Sequence, residues 1–459
     1  MQNKLSFWSI VLLTINSIIG SGIFLSPGSV VSLAGTNAPF VYFTAAIFAS
    51  TLAITFSSAA KYVTKSGAAY AYAKAAFGAN VGLYVGITRF IAASIAWGVM
   101  ITGVVKIILS ILGIDSENFN YITLGFIVLM VVLLIINLFG TKLFTTINNL
   151  STIGKIITLL TAIIAGLVIM INTGENHFEE INYLKDSMGN HLIPEMNTST
   201  LVMATIVAFY AFTGFESVAS GSHDMEKPEI NLPRAIPLAM LIIVTIYIGI
   251  VVVAMVINPQ AIVKTKAVVT LVEVFGNEII KSIILYGALI SMLGINVAAS
   301  FHTPRILEAM AQEKQIPQGF AKRTKTGFPL RSFLITMVLT MVLPMSFQYN
   351  LTTIIILSSI SRFFQFVIVP VSVIMFFYEK NVEEVLSNVN KNFITDVIMP
   401  ATSIILTMFL LIKFDWSGQF TIVDANGLSH TNMYAILALV FGYIILPAIV
   451  FFKKIKNEH

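Results

Sequence analysis

The sequence NSIIGSGIF, residues 16–24, decides how the chain is interpreted. It lies in the middle of an apolar run from about residue 5 to residue 31, which is long enough for one membrane crossing. A glycine inside a helix costs about 1 kcal/mol relative to alanine, so Gly20 and Gly22 disfavour a continuous helix here. The stretch therefore predicts a transmembrane helix that is interrupted near its middle.

The composition of the chain favours a polytopic membrane protein. Hydrophobic residues make up 57 % of the 459 residues and charged residues only 11 %, whereas about a quarter of a soluble protein is charged. Residues 1–23 resemble a secretory signal peptide, but the apolar pattern continues beyond Ser21 and similar segments follow along the chain. We therefore interpret them as part of the first membrane span.

The sequence offers little for catalysis. It contains no cysteine, its six histidines are scattered, and neither an HExxH nor a GxSxG motif occurs. We expect no enzyme activity, no cofactor and no metal site. The basic residues lie in short gaps between apolar runs, where they indicate membrane topology rather than nucleic-acid binding.

Apolar segments of about 20 residues, the length that crosses a bilayer core, occur throughout the chain. They predict an all-α polytopic membrane protein with twelve transmembrane helices, at about 7–32, 38–62, 82–112, 121–140, 147–171, 199–221, 234–257, 280–311, 328–347, 351–378, 393–413 and 432–452. Lys and Arg concentrate in alternate gaps, which places both termini in the cytoplasm. Residues 66–77 predict a short interfacial helix, and residues 172–199 a partly irregular polar segment.

A second interruption occurs in the sixth span, which reads FYAFTGFES at residues 209–217. Interrupted spans at matching positions indicate a transporter binding site, because helix ends inside a membrane expose backbone groups. Free N–H groups at one helix end suit a carboxylate, and free carbonyls at the other suit an ammonium group. Gly20 and Gly22 would also let a ligand touch the backbone. The alternative is that these glycines only allow close helix packing.

With these motifs the chain resembles the amino acid–polyamine–organocation (APC) superfamily of transporters. The resemblance covers most of the chain, in IIGSGIF (18–24), SGAAY (66–70), FTGFE (212–216), EKPEINLPRAI (226–236) and PR with AMA (304–311). It implies a single transporter domain, 1–459, with the leucine-transporter-like fold of five plus five inverted helices. The repeats would be about 7–171 and 199–378, with two additional helices in 393–452. Gly86-Ile87 departs from the family's usual Gly-Trp.

The two interruptions supply the candidate substrate site. Backbone N–H groups of Ser21, Gly22 and Ile23 would take a carboxylate, and the carbonyls of Ile18, Phe209, Ala211 and Phe212 an amino group. Tyr210 and Phe212 are candidate aromatic gates, as is Trp97 in the third span. Asn296 in the eighth span is a candidate lining residue.

Intramembrane charges are functional candidates because they are costly in a bilayer. The resemblance implies that Lys155 replaces a sodium ion and holds carbonyls near Ile18, whereas the alternative is a lysine that reaches the cytoplasmic surface. Glu216 is a candidate proton carrier, partner of a cation or structural hydrogen-bonding group. For Arg89 we expect a structural ion pair or a side chain that reaches the cytoplasmic surface, and for Arg305 a salt bridge on the cytoplasmic side. Arg362 is a candidate gate residue with no partner that the sequence reveals.

The sequence thus predicts a secondary active transporter of amino acids in the plasma membrane, which works by alternating access with proton coupling or by exchange. Its partners would be a small amino acid or amine, protons and membrane lipids. Two alternatives stay open, a polyamine or amine exchanger of the same fold and an amino acid sensor that does not transport. A channel is disfavoured because the spans are too apolar for a continuous polar pore.

Overall fold

The computed structural model describes residues 4–20, 22–174, 176–185, 189–264, 270–349, 351–413, 416, 420–423 and 429–458. Ser21 therefore lies outside the described residues. The α-helices are α1 Phe7–Ile18, α2 Gly22–Ala34, α3 Ala38–Tyr62, α4 Ala69–Phe77, α5 Ala79–Ile111, α6 Phe119–Leu138, α7 Thr141–Thr173, α8 Thr198–Tyr210, α9 Phe215–Val218, α10 Pro228–Ile257, α11 Pro259–Lys264, α12 Thr270–Val274, α13 Glu278–Gln312, α14 Leu330–Ser346, α15 Leu351–Phe377, α16 Met399–Lys413, α17 Met433–Val440 and α18 Leu446–Glu458.

Short elements connect or extend these helices. Four 3₁₀ segments are Gly35–Asn37, Phe178–Tyr183, Ala219–Asp224 and Gln318–Ala321, and two π-helical turns are Ile394–Ile398 and Phe441–Ile445. A small antiparallel hairpin pairs β1 Thr421–Val423 with β2 Ser429–Thr431, an exception to the all-α prediction that lies in a connection between helices.

The helices have the length and polarity of membrane spans. Within the described ranges, eight helical segments are long and apolar enough to cross a bilayer: 26–62, 79–111, 119–138, 142–173, 200–224, 228–257, 278–312 and 394–413. Four shorter apolar helices add Phe7–Ile18, Leu330–Ser346, Ser361–Phe377 and Phe441–Phe452. The prediction of a polytopic helical membrane protein is confirmed.

Burial separates a central helix from peripheral ones. Arg89, Trp97 and most other side chains of α5 are buried, so this helix runs through the middle of the protein. By contrast, α6 and α7 expose large apolar side chains such as Leu124, Val128 and Ile164. Because water would not favour such a surface, these helices present it to hydrocarbon.

Both predicted interruptions are present. The helix α1 ends at Ile18, Ile19 has extended backbone angles, and α2 begins at Gly22. In the sixth segment α8 ends at Tyr210 and α9 begins after Gly214, whose φ is +126°. The first halves are 12 and 13 residues long, which is about 18 to 20 Å of helix, so each break falls well inside a membrane-sized segment.

The predicted short helix at residues 66–77 is present as α4, and nearly all of its side chains are buried within the protein. Residues 382–386 cross over it as a strap. The backbone N–H groups of Val382 and Glu383 donate to the Ala75 carbonyl at 3.0 Å each, and that of Leu386 donates to the Tyr62 carbonyl at 3.1 Å. The strap ties the end of α15 to both α3 and α4.

Charged side chains reinforce this arrangement outside the membrane spans. Lys74 of α4 contacts Glu313 at 2.9 Å and Glu383 at 2.8 Å, and Lys65 contacts Glu313 at 2.8 Å. Burial alone would raise the pKa of the Glu313 carboxyl, but hydrogen bonds and charges from Lys65 and Lys74 outweigh it, so this pKa lies below its ordinary value of 4.5. The lowered pKa means that the ionised carboxylate stabilises the fold.

We expect Glu313→Gln to destabilise the protein by about 1 kcal/mol at pH 7, since the pairs are partly exposed. A carboxyl with a lowered pKa contributes its full stability above pH 4.5 and loses it as the pH falls through the folded-state value. The melting temperatures of the two proteins in detergent should therefore converge below pH 4.5. A difference that persists unchanged at lower pH would contradict this.

Candidate functional site

The two helix breaks lie in direct contact with each other. A Cβ atom added at Gly22 would stand 2.8 Å from Ala211 Cα, and one added at Gly214 would collide with the Ser17 carbonyl. Only glycine allows the two backbones to come this close. At these positions the glycines therefore serve close helix packing, so the prediction that Gly22 leaves room for a ligand does not hold in this conformation.

The Lys155 ammonium group fills the carbonyl side of the first break. The side chain is fully buried and donates to the carbonyl of Ile19, to that of Asn16 at 3.5 Å and to that of Ser291 at 3.2 Å. The Ser291 hydroxyl lies 3.3 Å from the carbonyls of Ile19 and Gly20. The lysine points into the protein and does not reach for the surface.

Amide side chains brace the same region. Asn16 donates to Asn148 Oδ1 at 2.7 Å and to the Gly294 carbonyl at 2.8 Å, which connects α1, α7 and α13. Asn296, a predicted lining residue, is buried and donates to the Met292 carbonyl of its own helix at 2.8 Å. It does not line the cavity described below.

Aromatic packing closes the second break. Phe212 lies between Tyr42 and Tyr247, with ring centroids 6.4 and 5.1 Å away, and Phe209 packs on Phe48 at 4.4 Å. The Ala211 carbonyl accepts a hydrogen bond from the Tyr247 hydroxyl at 3.2 Å. The Ala211 carbonyl, which we predicted to bind the amino group of a substrate, therefore already accepts a hydrogen bond from the protein in this conformation.

The other predicted site residues are placed as follows. Ile18 and Ile23 are buried beside the first break, and Trp97 is fully buried in a T-shaped contact with Phe333, with 5.9 Å between ring centroids. Tyr210, at the end of α8, is only partly buried. The structure brings the first and sixth segments and Lys155 together, but it leaves most of the predicted backbone contacts covered.

A small cavity lies beside the breaks and collects side chains from five parts of the chain. Its walls include Ser17, Arg89, Trp97, Ser217, His302 and Arg362. Its volume is about 30 Å³, enough for one or two water molecules but not for an amino acid. Of the predicted site side chains that the structure describes, only Trp97 lines it.

Glu216 joins the two arginines of this cavity. Its Oε2 accepts from the Gly214 backbone N–H at 2.7 Å, which fixes the carboxylate at the second break. Its Oε1 lies 3.3 Å from Arg362 Nη1 and 4.0 Å from Arg89 Nη1, and all three side chains are buried. Arg89 also donates to the Ser217 hydroxyl. The expected ion pair of Arg89 is thus present, and Arg362 has the same partner.

Sequence reasoning missed His302, whose Nε2 lies 2.7 Å from the Ser17 hydroxyl. No spacing signal marks this histidine in the sequence. The arginines carried a usable signal, since Glu216 offers one intramembrane carboxylate to two intramembrane guanidinium groups. The expected salt bridge of Arg305 is present as well, to Asp224 at 2.7 Å.

Comparison with known proteins identifies the class. The sequence model of the amino acid permease family matches residues 5–446, nearly the whole chain. The chain belongs to this family and is a multi-pass membrane transporter.

Individual relatives agree with this assignment. An uncharacterized transporter of Mycobacterium tuberculosis is 38 % identical over 98 % of this chain and 94 % of the relative. A serine/threonine exchanger of Bacillus subtilis is 27 % identical over 75 % of this chain and 77 % of its own length. A branched-chain amino acid permease of B. subtilis is 24 % identical over 91 % and 89 %.

Because the breaks touch through glycine, we expect Gly22→Ala to reduce substrate uptake at least about tenfold, since its Cβ would press on Ala211. Uptake is measured in proteoliposomes that contain equal amounts of folded protein. Gly103→Ala is the matched control, because its Cβ would meet no atom within 4 Å. Equal uptake by both variants would show that the contact between the breaks is dispensable.

Proposed function

We propose that the protein is a secondary active transporter of amino acids in the plasma membrane that works by alternating access, driven by proton coupling or by exchange. The observation that carries this proposal is the contact between two helix breaks, with Gly22 against Ala211 and Gly214 against Ser17. Backbone dipoles from both breaks converge there, as a zwitterionic amino acid requires.

The proposed architecture has twelve transmembrane helices, the first ten arranged as inverted repeats of five, 7–171 and 199–378, followed by two helices in 393–452. In its support, one break falls at the first helix of each proposed repeat. The Lys and Arg bias of the loops favours cytoplasmic termini.

In the proposed substrate complex, N–H groups at the start of α2, those of Ser21, Gly22 and Ile23, hold the carboxylate. The carbonyls of Ile18, Phe209, Ala211 and Phe212 hold the amino group. The Ala211 carbonyl accepts a hydrogen bond from the Tyr247 hydroxyl, and the Tyr247 ring packs on Phe212. The substrate can therefore bind here only after Tyr247 moves away from the second break. Such an opening and closing of the breaks is what alternating access requires.

The charges near the breaks bear on the alternative of a polyamine exchanger. Arg89 and Arg362 face the cavity with Glu216 as their shared partner, so the described part of this region carries more positive than negative charge. A polycation would be repelled there. This observation favours amino acids over polyamines.

The direct test is uptake and counterflow of labelled amino acids in proteoliposomes with the purified full-length chain. We expect accumulation of at least one amino acid, either with an imposed proton gradient or in exchange for internal amino acid. Binding of amino acids without any transport would identify a sensor, and transport of polyamines alone would identify the amine exchanger. Either outcome would overturn the proposal.

We expect Lys155→Met to reduce uptake at least about tenfold. Methionine has a similar length but no charge, so the carbonyls of Ile19, Asn16 and Ser291 lose the ammonium donor. Any buried carbonyl that is then left without a partner costs about 1 to 3 kcal/mol. Lys142→Met on the exposed face of the same helix is the control. If Lys155→Met retained normal uptake with normal pH dependence, Lys155 would have no role in transport.

A further inference from the structure

The buried charges around the small cavity are unequal; Lys155, the buried cation at the first break, does not line this cavity. Arg89 and Arg362 are 4 % and 6 % exposed, and Glu216 is 1 % exposed. Among the described residues, Glu216 is the carboxylate within ion-pair distance of either guanidinium group. Two buried cations therefore share one buried anion, an excess of one positive charge in a region that hydrocarbon and protein surround. Such an excess is costly unless a further anionic group compensates it.

The same residues carry hydrogen-bond donors without acceptors. Arg89 Nε, Arg362 Nε and Trp97 Nε1 are buried and have no hydrogen-bond acceptor among the described residues. Arg362 Nη1 and Glu216 Oε1 lie 3.3 Å apart as an ion pair, without hydrogen-bond geometry. Each buried donor without a partner costs about 1 to 3 kcal/mol. The arginines and the tryptophan can only donate, so the group that satisfies them must accept hydrogen bonds.

The cavity next to these donors has the size of a carboxylate rather than of a whole amino acid. Its volume is about 30 Å³, and Arg89, Trp97 and Arg362 line it together with Ser17 and Ser217, which belong to the two broken segments. A group that occupies the cavity therefore lies within reach of a molecule held at the breaks. Guanidinium groups bind carboxylates with paired hydrogen bonds, which suits this occupant.

We infer that the cavity of Arg89, Arg362 and Trp97 binds a side-chain carboxylate, so that the transported substrate is an acidic amino acid. This inference rests on the proposed function, because the breaks are taken to hold the α-amino and α-carboxylate groups. Glu216 holds the two guanidinium groups in place and sets the excess charge at one, which matches the single extra carboxylate of aspartate or glutamate.

The first test is calorimetric binding to the purified full-length protein in detergent. We expect L-glutamate or L-aspartate to bind at least about tenfold more tightly than L-glutamine and L-asparagine, which have nearly the same shape but no side-chain charge. Glutarate, which lacks the amino group, should bind more weakly than glutamate. Equal binding of the acids and their amides would overturn the inference, as would binding of chloride without any acidic amino acid.

The second test varies the charge of the cavity. Glu216→Gln keeps an acceptor for the Gly214 N–H but removes the negative charge, so the excess positive charge around the cavity rises from one to two. The preference for an acidic amino acid over its amide should therefore increase. Arg362→Met or Arg89→Met lowers the excess positive charge to zero. Either variant should lose the preference for the acidic amino acid but still bind L-glutamine or L-asparagine. Arg331→Met on the exposed surface is the control and should change nothing. A preference that does not follow this order would contradict the inference.

These outcomes separate the inference from the proposed function. If the protein binds and transports neutral amino acids with no preference for acids, the transport proposal stands and the carboxylate site falls. If no amino acid of any kind binds or is transported, both fall. Should an arginine variant fail to fold, judged by its melting temperature, the increase expected for Glu216→Gln still decides the matter.

Discussion

The bond between the Lys155 ammonium group and the carbonyls at the end of α1 is the interaction on which the rest of the site depends. A helix that stops inside a membrane leaves carbonyls that neither water nor lipid can satisfy. Lys155 donates to the carbonyls of Asn16 and Ile19, and the Ser291 hydroxyl lies 3.3 Å from the Ile19 carbonyl. Without these donors, the buried carbonyls at the end of α1 would lack hydrogen-bond partners, at a cost of about 1 to 3 kcal/mol each.

A second constraint follows from the closeness of the two breaks. Because Gly22 lies against Ala211, and Gly214 against Ser17, neither segment can adopt regular helix through the contact without displacing the other. Glu216 adds an electrostatic constraint, since it joins the Gly214 N–H to Arg362. The Glu216 carboxylate thus binds both the backbone of the second break and a buried guanidinium group. A displacement of the Gly214 backbone would therefore also disturb the ion pair of Glu216 with Arg362.

Much of the helical architecture could be predicted from sequence because membrane spans are long apolar segments and glycine interrupts them. Both breaks were predicted, as was Lys155 as an intramembrane charge, since each leaves a local signal. The cavity was not predicted, because its walls come from residues as distant in sequence as Ser17 and Arg362. Glu216 and Arg362 were each recognised as intramembrane charges, but their pairing was not predicted, because the helix that carries Glu216 meets α15 only in the folded chain. Likewise, no pattern reveals that aromatic rings cover Phe212.

The strap over α4 has a mechanical consequence. Residues 382–386 begin five residues after the end of α15 and hydrogen-bond to Ala75 and Tyr62, while α15 itself carries Arg362 beside the breaks. If α15 tilts, α3 and α4 must therefore move with it, or these backbone hydrogen bonds must break. A displacement of Arg362 together with α15 would therefore be coupled to α3 and α4 through this strap.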